Sequence, residues 1–242
     1  PNFIFVKADL SNEDEQKSVE NIFMESKIDY IFHFAAYAAE GLSPFIRQYN
    51  YKSNVLPTVF LINMGIKYNI RRFVFTSSMA TYGVNETPFT EEMRPNPIDP
   101  YGIAKLASEE TLKVLSEVHN FEFVNLVPHN IIGPRQKYDD PYRNVVSIMI
   151  NRILQGKGPI IYGDGEQVRC FSDIDDVVNP MMNSIFNEDC SKQTINVGPD
   201  EDVITINDLA KKVLKVLNSD LEPIHVKPRP QEVKIAHCSA SK

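Results

Sequence analysis

The stretch FVFTSSMATYG, residues 73–83, begins as an uninterrupted run of apolar β-formers and ends in a cluster of hydroxyls followed by glycine. A strand with one wet face alternates apolar and polar side chains. This one does not, so both of its faces are covered. Residues 3–6, 30–34 and 121–127 have the same texture. Segments of helical period lie between them, at 14–24, 45–68 and 100–119. Strand and helix in alternation predict parallel strands joined by right-handed crossovers, an α/β doubly wound sheet. In such sheets ligands bind beyond the carboxyl ends of the strands, where the hydroxyls of this stretch fall.

Working outward, the chain has 242 residues, 43% hydrophobic and 24% charged, enough to bury a sizeable core. The formal charge is 25 minus 32, or -7, with no dense basic run, which excludes a nucleic-acid partner. Cys170, Cys190 and Cys238 are odd in number, far apart and without metal-ligand spacing. They fit a reducing compartment, so a cytoplasmic location is expected. No membrane span or signal-peptide grammar is visible. A strand expected at residues 3–6, almost at the first residue, reads as a chain entered partway through a fold. After Pro128 proline and glycine become frequent and the strands shorten, with helices expected at 144–154, 175–186 and 207–217 among pieces such as PIIYGDG and TINVG. The expected division is therefore residues 1–127 as one domain and 128–242 as a smaller lobe.

In PYGIAK, Tyr101 and Lys105 stand four residues apart near a helix start and share a face. Pro100 suits the first turn and Asp99 can cap it, placing the pair in the positive potential of the helix N-terminus. A tyrosine must fall from a pKa of about 10 to near 7 to act as a base, roughly 4 kcal/mol, and a nearby ammonium supplies much of this. By itself this spacing also describes a surface pair. The hydroxyl-bearing strand end, with Ser78, lies about twenty residues earlier and could bring a relay hydroxyl beside the tyrosine. In HFAAYAA, residues 33–39, Phe34, Ala35 and Ala36 would let the backbone approach a flat dinucleotide, while His33 reads as a core residue. Asp9, followed by Leu10, could accept from an adenine amino group or merely begin a turn.

Together, Asp9-Leu10, HFAAYAA, Asn54, FTSSMATYG, PYGIAK, VPHNIIGPRQ, YGDGEQVRCF and DIDDV resemble the extended short-chain dehydrogenase/reductases that act on nucleotide sugars, nearest the UDP-hexose 4-epimerases. The resemblance runs the length of the chain. It implies a Rossmann-type NAD domain, a second lobe holding a UDP-sugar, and a homodimer built from the helical segments 45–68 and 100–119. It makes Tyr101 the catalytic base, Lys105 the partner of the nicotinamide ribose, and Ser78 the donor to the reacting sugar oxygen. Asp9, Leu10, Phe34, Ala35, Ala36 and Asn54 fall at cofactor positions. Asn130, Arg169 and Arg229 match diphosphate ligands, Glu232 the acid on the uridine ribose, and Ala236 a position beside the sugar C2 substituent. Arginine forks suit a diphosphate.

The family opens with a glycine-rich turn over the pyrophosphate, which this sequence does not contain. The resemblance implies about fifty residues ahead of Pro1. Relatives that dehydrate carry an Asp-Glu pair at Met79 and Ala80, and those that decarboxylate carry glutamate at Ala80. Methionine and alanine exchange no protons, which leaves redox at one carbon. The implied reaction is 4-epimerisation of a UDP-hexose with NAD. The alternatives are a 4-ketosugar reductase and a non-catalytic nucleotide-sugar-binding fragment.

Overall fold

The computed structural model describes residues 3–140, 142, 144–200, 202–229 and 232–242. In chain order the elements are α1 (Glu13–Glu25), β1 (Tyr30–His33), α2 (Arg47–Asn54), α3 (Leu56–Lys67), β2 (Arg72–Thr76), α4 (Pro100–His119), β3 (Glu122–Pro128), β4 (Asn130–Ile132) and α5 (Val145–Leu154). They continue with β5 (Ile160–Tyr162), β6 (Val168–Asp173), α6 (Ile174–Phe186), β7 (Gln193–Val197), β8 (Val203–Thr205), α7 (Ile206–Val216), β9 (Ile224–Val226) and β10 (Ile235–Ala236).

The main sheet has the order β1-β2-β3-β7 with every pairing parallel, as the continuous apolar runs require. Successive residues of β2 point to opposite faces. Phe73 and Phe75 enter a core with Phe23, Ile62, Leu112 and Phe123, under α1, α3 and α4. Val74 enters a second core with Val124, Leu126, Val177, Met181 and Val197, under α6. This is a Rossmann-type layered fold. Arg72 starts β2 and is buried. Its guanidinium donates to the carbonyls of Ser184, Ile185 and Asn187 at the end of α6 and pairs with Glu122. A fixed cation there satisfies helix-end carbonyls that would otherwise be orphaned.

Three expectations are corrected. Residues 3–6 form no strand: Phe3, Ile4 and Phe5 are 82%, 84% and 76% exposed. A strand exists through its ladder, and no strand among the described residues pairs with this segment. The single helix expected over 45–68 is two, α2 and α3, meeting at Val55. Pro57 has no N–H for the carbonyl four residues back and crowds the turn before it. The division at 127/128 does not follow the sheets either. β7 completes the main sheet and α6 covers it, so the chain returns to the first layer before building the second.

That second layer contains the sheet β10-β6-β4, with β8 antiparallel to β6, and a core of Met149, Ile153, Ile161, Leu209 and Val213. The two layers meet at a seam of Tyr82, Phe89, Val127 and Cys238, where Phe89 and Cys238 are bridged in parallel.

Candidate active site

Both walls of the site grow from strand ends. β1 and β2 run in register from Tyr30 opposite Arg72 to His33 opposite Phe75, so 34–36 and 76–78 emerge side by side at the carboxyl edge of the main sheet. Ser78 caps the short turn Met79–Thr81 by accepting from the Ala80 N–H at 3.2 Å. α4 docks against this turn. A Cβ on Gly102 would stand 2.4 Å from the Ala80 carbonyl oxygen, so only glycine allows the approach. Asp99 caps α4, accepting from the N–H groups of Tyr101 at 2.8 Å and Gly102 at 3.1 Å.

Tyr101 and Lys105 therefore lie against the end of β2. Lys105 is buried, and its Nζ donates to the Thr76 carbonyl at 2.8 Å and lies 4.7 Å from the Phe75 ring centroid and 5.9 Å from that of Tyr101. Burial pulls its ammonium down to about 8, against the opposing pull of Glu109. One turn on, the Ser77 hydroxyl donates to the Glu109 carboxyl, which burial holds up at about 7 while the Ser77 hydrogen bond works to lower it. His33 is a core residue, bonded to Thr58 Oγ1 at 2.9 Å and kept neutral chiefly by burial, its pKa lowered to about 3.

The facing wall comes from β6 and β10, whose parallel pairing sets Ala236 opposite Arg169. Arg169 donates to the carbonyls of Val168 at 2.8 Å, Val233 at 2.8 Å and Lys234 at 3.3 Å, and approaches Glu232 at 3.5 Å. The Gln167 amide holds the other Glu232 oxygen at 3.2 Å. Arg229 stacks on the Tyr162 ring, 4.1 Å from its centroid. Asn130 donates to the Cys170 carbonyl at 2.9 Å, pinning β4 to β6.

Between the walls lies a cleft of 440 Å³ into which Ser78, Tyr101, Asn130, Arg169, Arg229, Glu232 and Ala236 all face. That volume suits a small-molecule ligand. Lys105, Asp9, Leu10, Phe34, Ala35, Ala36 and Asn54 do not line it. Asn54 is buried and spends its amide on the backbone of Tyr37 and the Asn50 side chain, which shapes the loop after β1. Asp9 makes a turn, accepting from the Ser11 N–H at 2.8 Å, and Leu10 packs on the first core. A wider groove of 860 Å³ along α7 is lined mostly by polar and charged residues of both signs and gathers none of these side chains.

One cleft feature, Glu40, is absent from the sequence reading. Glu40 faces the cavity from the turn after HFAAYAA, and Thr76 Oγ1 is buried there with no partner among the described residues. Glu109, four residues past Lys105, was open to the helix spacing already used.

The model of the NAD dependent epimerase/dehydratase family matches residues 2–198. The chain belongs to that family. A UDP-glucose 4-epimerase of Mycolicibacterium smegmatis is 33% identical over 184 residues, 74% of this chain and 56% of that protein. The chain thus spans little more than half the length of that curated relative. Among solved structures, Thermotoga maritima UDP-glucose 4-epimerase with UDP-glucose superposes with a TM-score of 0.91 at 29% identity, covering 99% of this chain and 76% of that one. The UDP-N-acetylglucosamine 4-epimerase of Methanobrevibacter ruminantium, in complex with UDP-N-acetylmuramic acid, gives 0.87 at 31%, covering 98% and 74%. Membership makes NAD the cofactor.

The described residues fit its nicotinamide half: a buried ammonium beside a tyrosine, small residues beyond β1, and the partnerless Thr76 hydroxyl. For the pyrophosphate half they offer nothing comparable. The N-terminus of α1 is capped by Asn12 and carries Glu13, Asp14 and Glu15, which repel phosphate.

Proposed function

We propose that the protein epimerises a UDP-hexose at C4 by transient oxidation to the 4-keto sugar and return of hydride to the opposite face. The observation that carries the reading is that Tyr101 and Ser78 share one cleft with Arg169 and Arg229. NAD, when bound, supplies the chemistry that takes a hydride from a carbinol carbon and gives it back. Tyr101 removes the hydroxyl proton and later restores it, and Lys105 favours the phenolate by its charge. Ser78 hydrogen-bonds the reacting oxygen, and the arginines hold the diphosphate in forks that fix the sugar relative to the base. Asp9, Leu10, Phe34, Ala35, Ala36 and Asn54 belong to the cofactor side of the same reading, Asn130 and Glu232 to the nucleotide side.

Ala236 extends the proposal to substrate choice. It lines the cleft beside Met79, and a small side chain leaves room for an N-acetyl group at C2, so UDP-N-acetylglucosamine joins UDP-glucose as a substrate. We extend it also to a homodimer in the cytoplasm. Leu56, Ile103, Val114 and Val118 are exposed apolar residues on α3 and α4, the faces such a bundle would bury. Among the described residues no helix is long and apolar enough to cross a membrane.

The test is incubation with saturating NAD and UDP-galactose. UDP-glucose should form without net change in NADH absorbance. Stoichiometric consumption of added NADH with a 4-keto sugar would instead identify a reductase.

A further inference from the structure

Glu40 stands where the two walls face each other. Its carbonyl accepts from the Ser43 hydroxyl at 2.8 Å, and the same hydroxyl reaches Asp99 Oδ1 at 3.1 Å, so the turn carrying Glu40 is fastened to the N-terminus of the helix that bears Tyr101. The next residue, Gly41, lies against the Arg229 side chain: a Cβ there would stand 3.8 Å from Arg229 Cδ. Glu40 is therefore held between the tyrosine and the arginines, at the level a hexosyl ring occupies if the reading above holds, on which this inference rests. Its carboxylate takes no hydrogen bond and no ion pair within 4.0 Å among the described residues. In that reading the two guanidiniums on that side, Arg169 and Arg229, are committed to the diphosphate, and Arg169 also donates to three carbonyls and approaches Glu232.

We propose that Glu40 selects the sugar, accepting hydrogen bonds from the hydroxyls of a neutral hexosyl ring and excluding a hexuronosyl ring by the repulsion of two carboxylates. An acceptor free of protein partners satisfies ring hydroxyls on entry, whereas a second carboxylate brought beside it finds no free cation. Burial among protein atoms, then Asp99 and Glu232, raises the Glu40 carboxyl to about 7, against Arg169 and Arg229. Solvent reaches the side chain through the open cleft and limits that rise. At pH 8 the group is ionised.

Calorimetric titration of the full chain and of Glu40→Gln with UDP-glucose and UDP-glucuronate at pH 8 tests this without turnover. The wild-type protein is expected to bind UDP-glucose roughly tenfold or more tightly than UDP-glucuronate, and the variant, with an unchanged melting temperature, to bind the two within about threefold of each other. Equal binding by the wild-type protein, or the same preference in the variant, would overturn the role of Glu40. Failure to bind either nucleotide would overturn the nucleotide-sugar reading as well.

Discussion

On one side of the cleft, Tyr101 lines the wall and Lys105 lies buried behind it, four residues on along a single helix. On the other, Arg169 reaches Glu232 across 63 residues of chain. The first wall is assembled by helical period, one cap and one glycine, and is dry: Lys105 and Glu109 are both buried and both moved far from their ordinary titration. The second is assembled by pairing β10 to β6 and is polar, its arginine fastened by backbone carbonyls. Chemistry that needs a shifted proton affinity belongs on the dry wall, and grip on a charged ligand on the polar one.

The comparison breaks most visibly at Tyr101. Tyr101→Phe should lower kcat by about 10²- to 10⁴-fold while leaving the Kd for UDP-glucose within about twofold, measured by calorimetry on the same preparation. Arg169→Met should do the reverse, raising that Kd on the order of 10- to 100-fold and sparing kcat at saturating sugar. If each variant changes rate and affinity together, the walls do not divide the labour.

A smaller effect is expected where the walls meet. Ala236→Tyr should cut kcat/KM for UDP-N-acetylglucosamine by roughly ten- to hundred-fold and spare UDP-glucose, since overpacking a closed pocket costs about 1 to 3 kcal/mol. A variant that treats both sugars as before removes Ala236 from the specificity argument.

The smallest effect is on stability and sharpens the dry wall. The Glu109 pKa is raised from 4.5 to about 7 on folding, so between those values the folded state holds a proton that the unfolded chain has lost. Its contribution is fully present below 4.5 and is lost as pH rises through 7. Urea unfolding at pH 5 and pH 8 should show the wild-type protein losing ground relative to Glu109→Gln at the higher pH. An identical difference at both values would mean that this carboxyl titrates normally.

The same contrast explains what could be read in advance. α4 runs over Pro100–His119 as its period and Pro100 indicate, because cap, first turn and apolar face all agree locally. Residues 3–6 are as apolar as β2, yet only β2 has neighbours in register on both sides. A strand's partner is not written in the strand. Val55 shows a local signal overlooked, since Pro57 two residues on marks the break. β7 joins the main sheet through pairing with β3 across about seventy residues, a contact no window of sequence contains. At the site, residues spaced on one helix were legible. Glu40 was not: an acidic residue in a loop acquires meaning only when Asp99, Arg169 and Arg229 are brought around it.

Tyr101 is proposed to serve a transient oxidation at C4 and not a simple exchange of the C4 proton with water. UDP-galactose deuterated at C4, incubated with the protein and NAD, tests it directly by NMR of the product. UDP-glucose that keeps its deuterium at C4 is expected, with no hydrogen drawn from solvent and no accumulation of NADH. Loss of the label to water would contradict it.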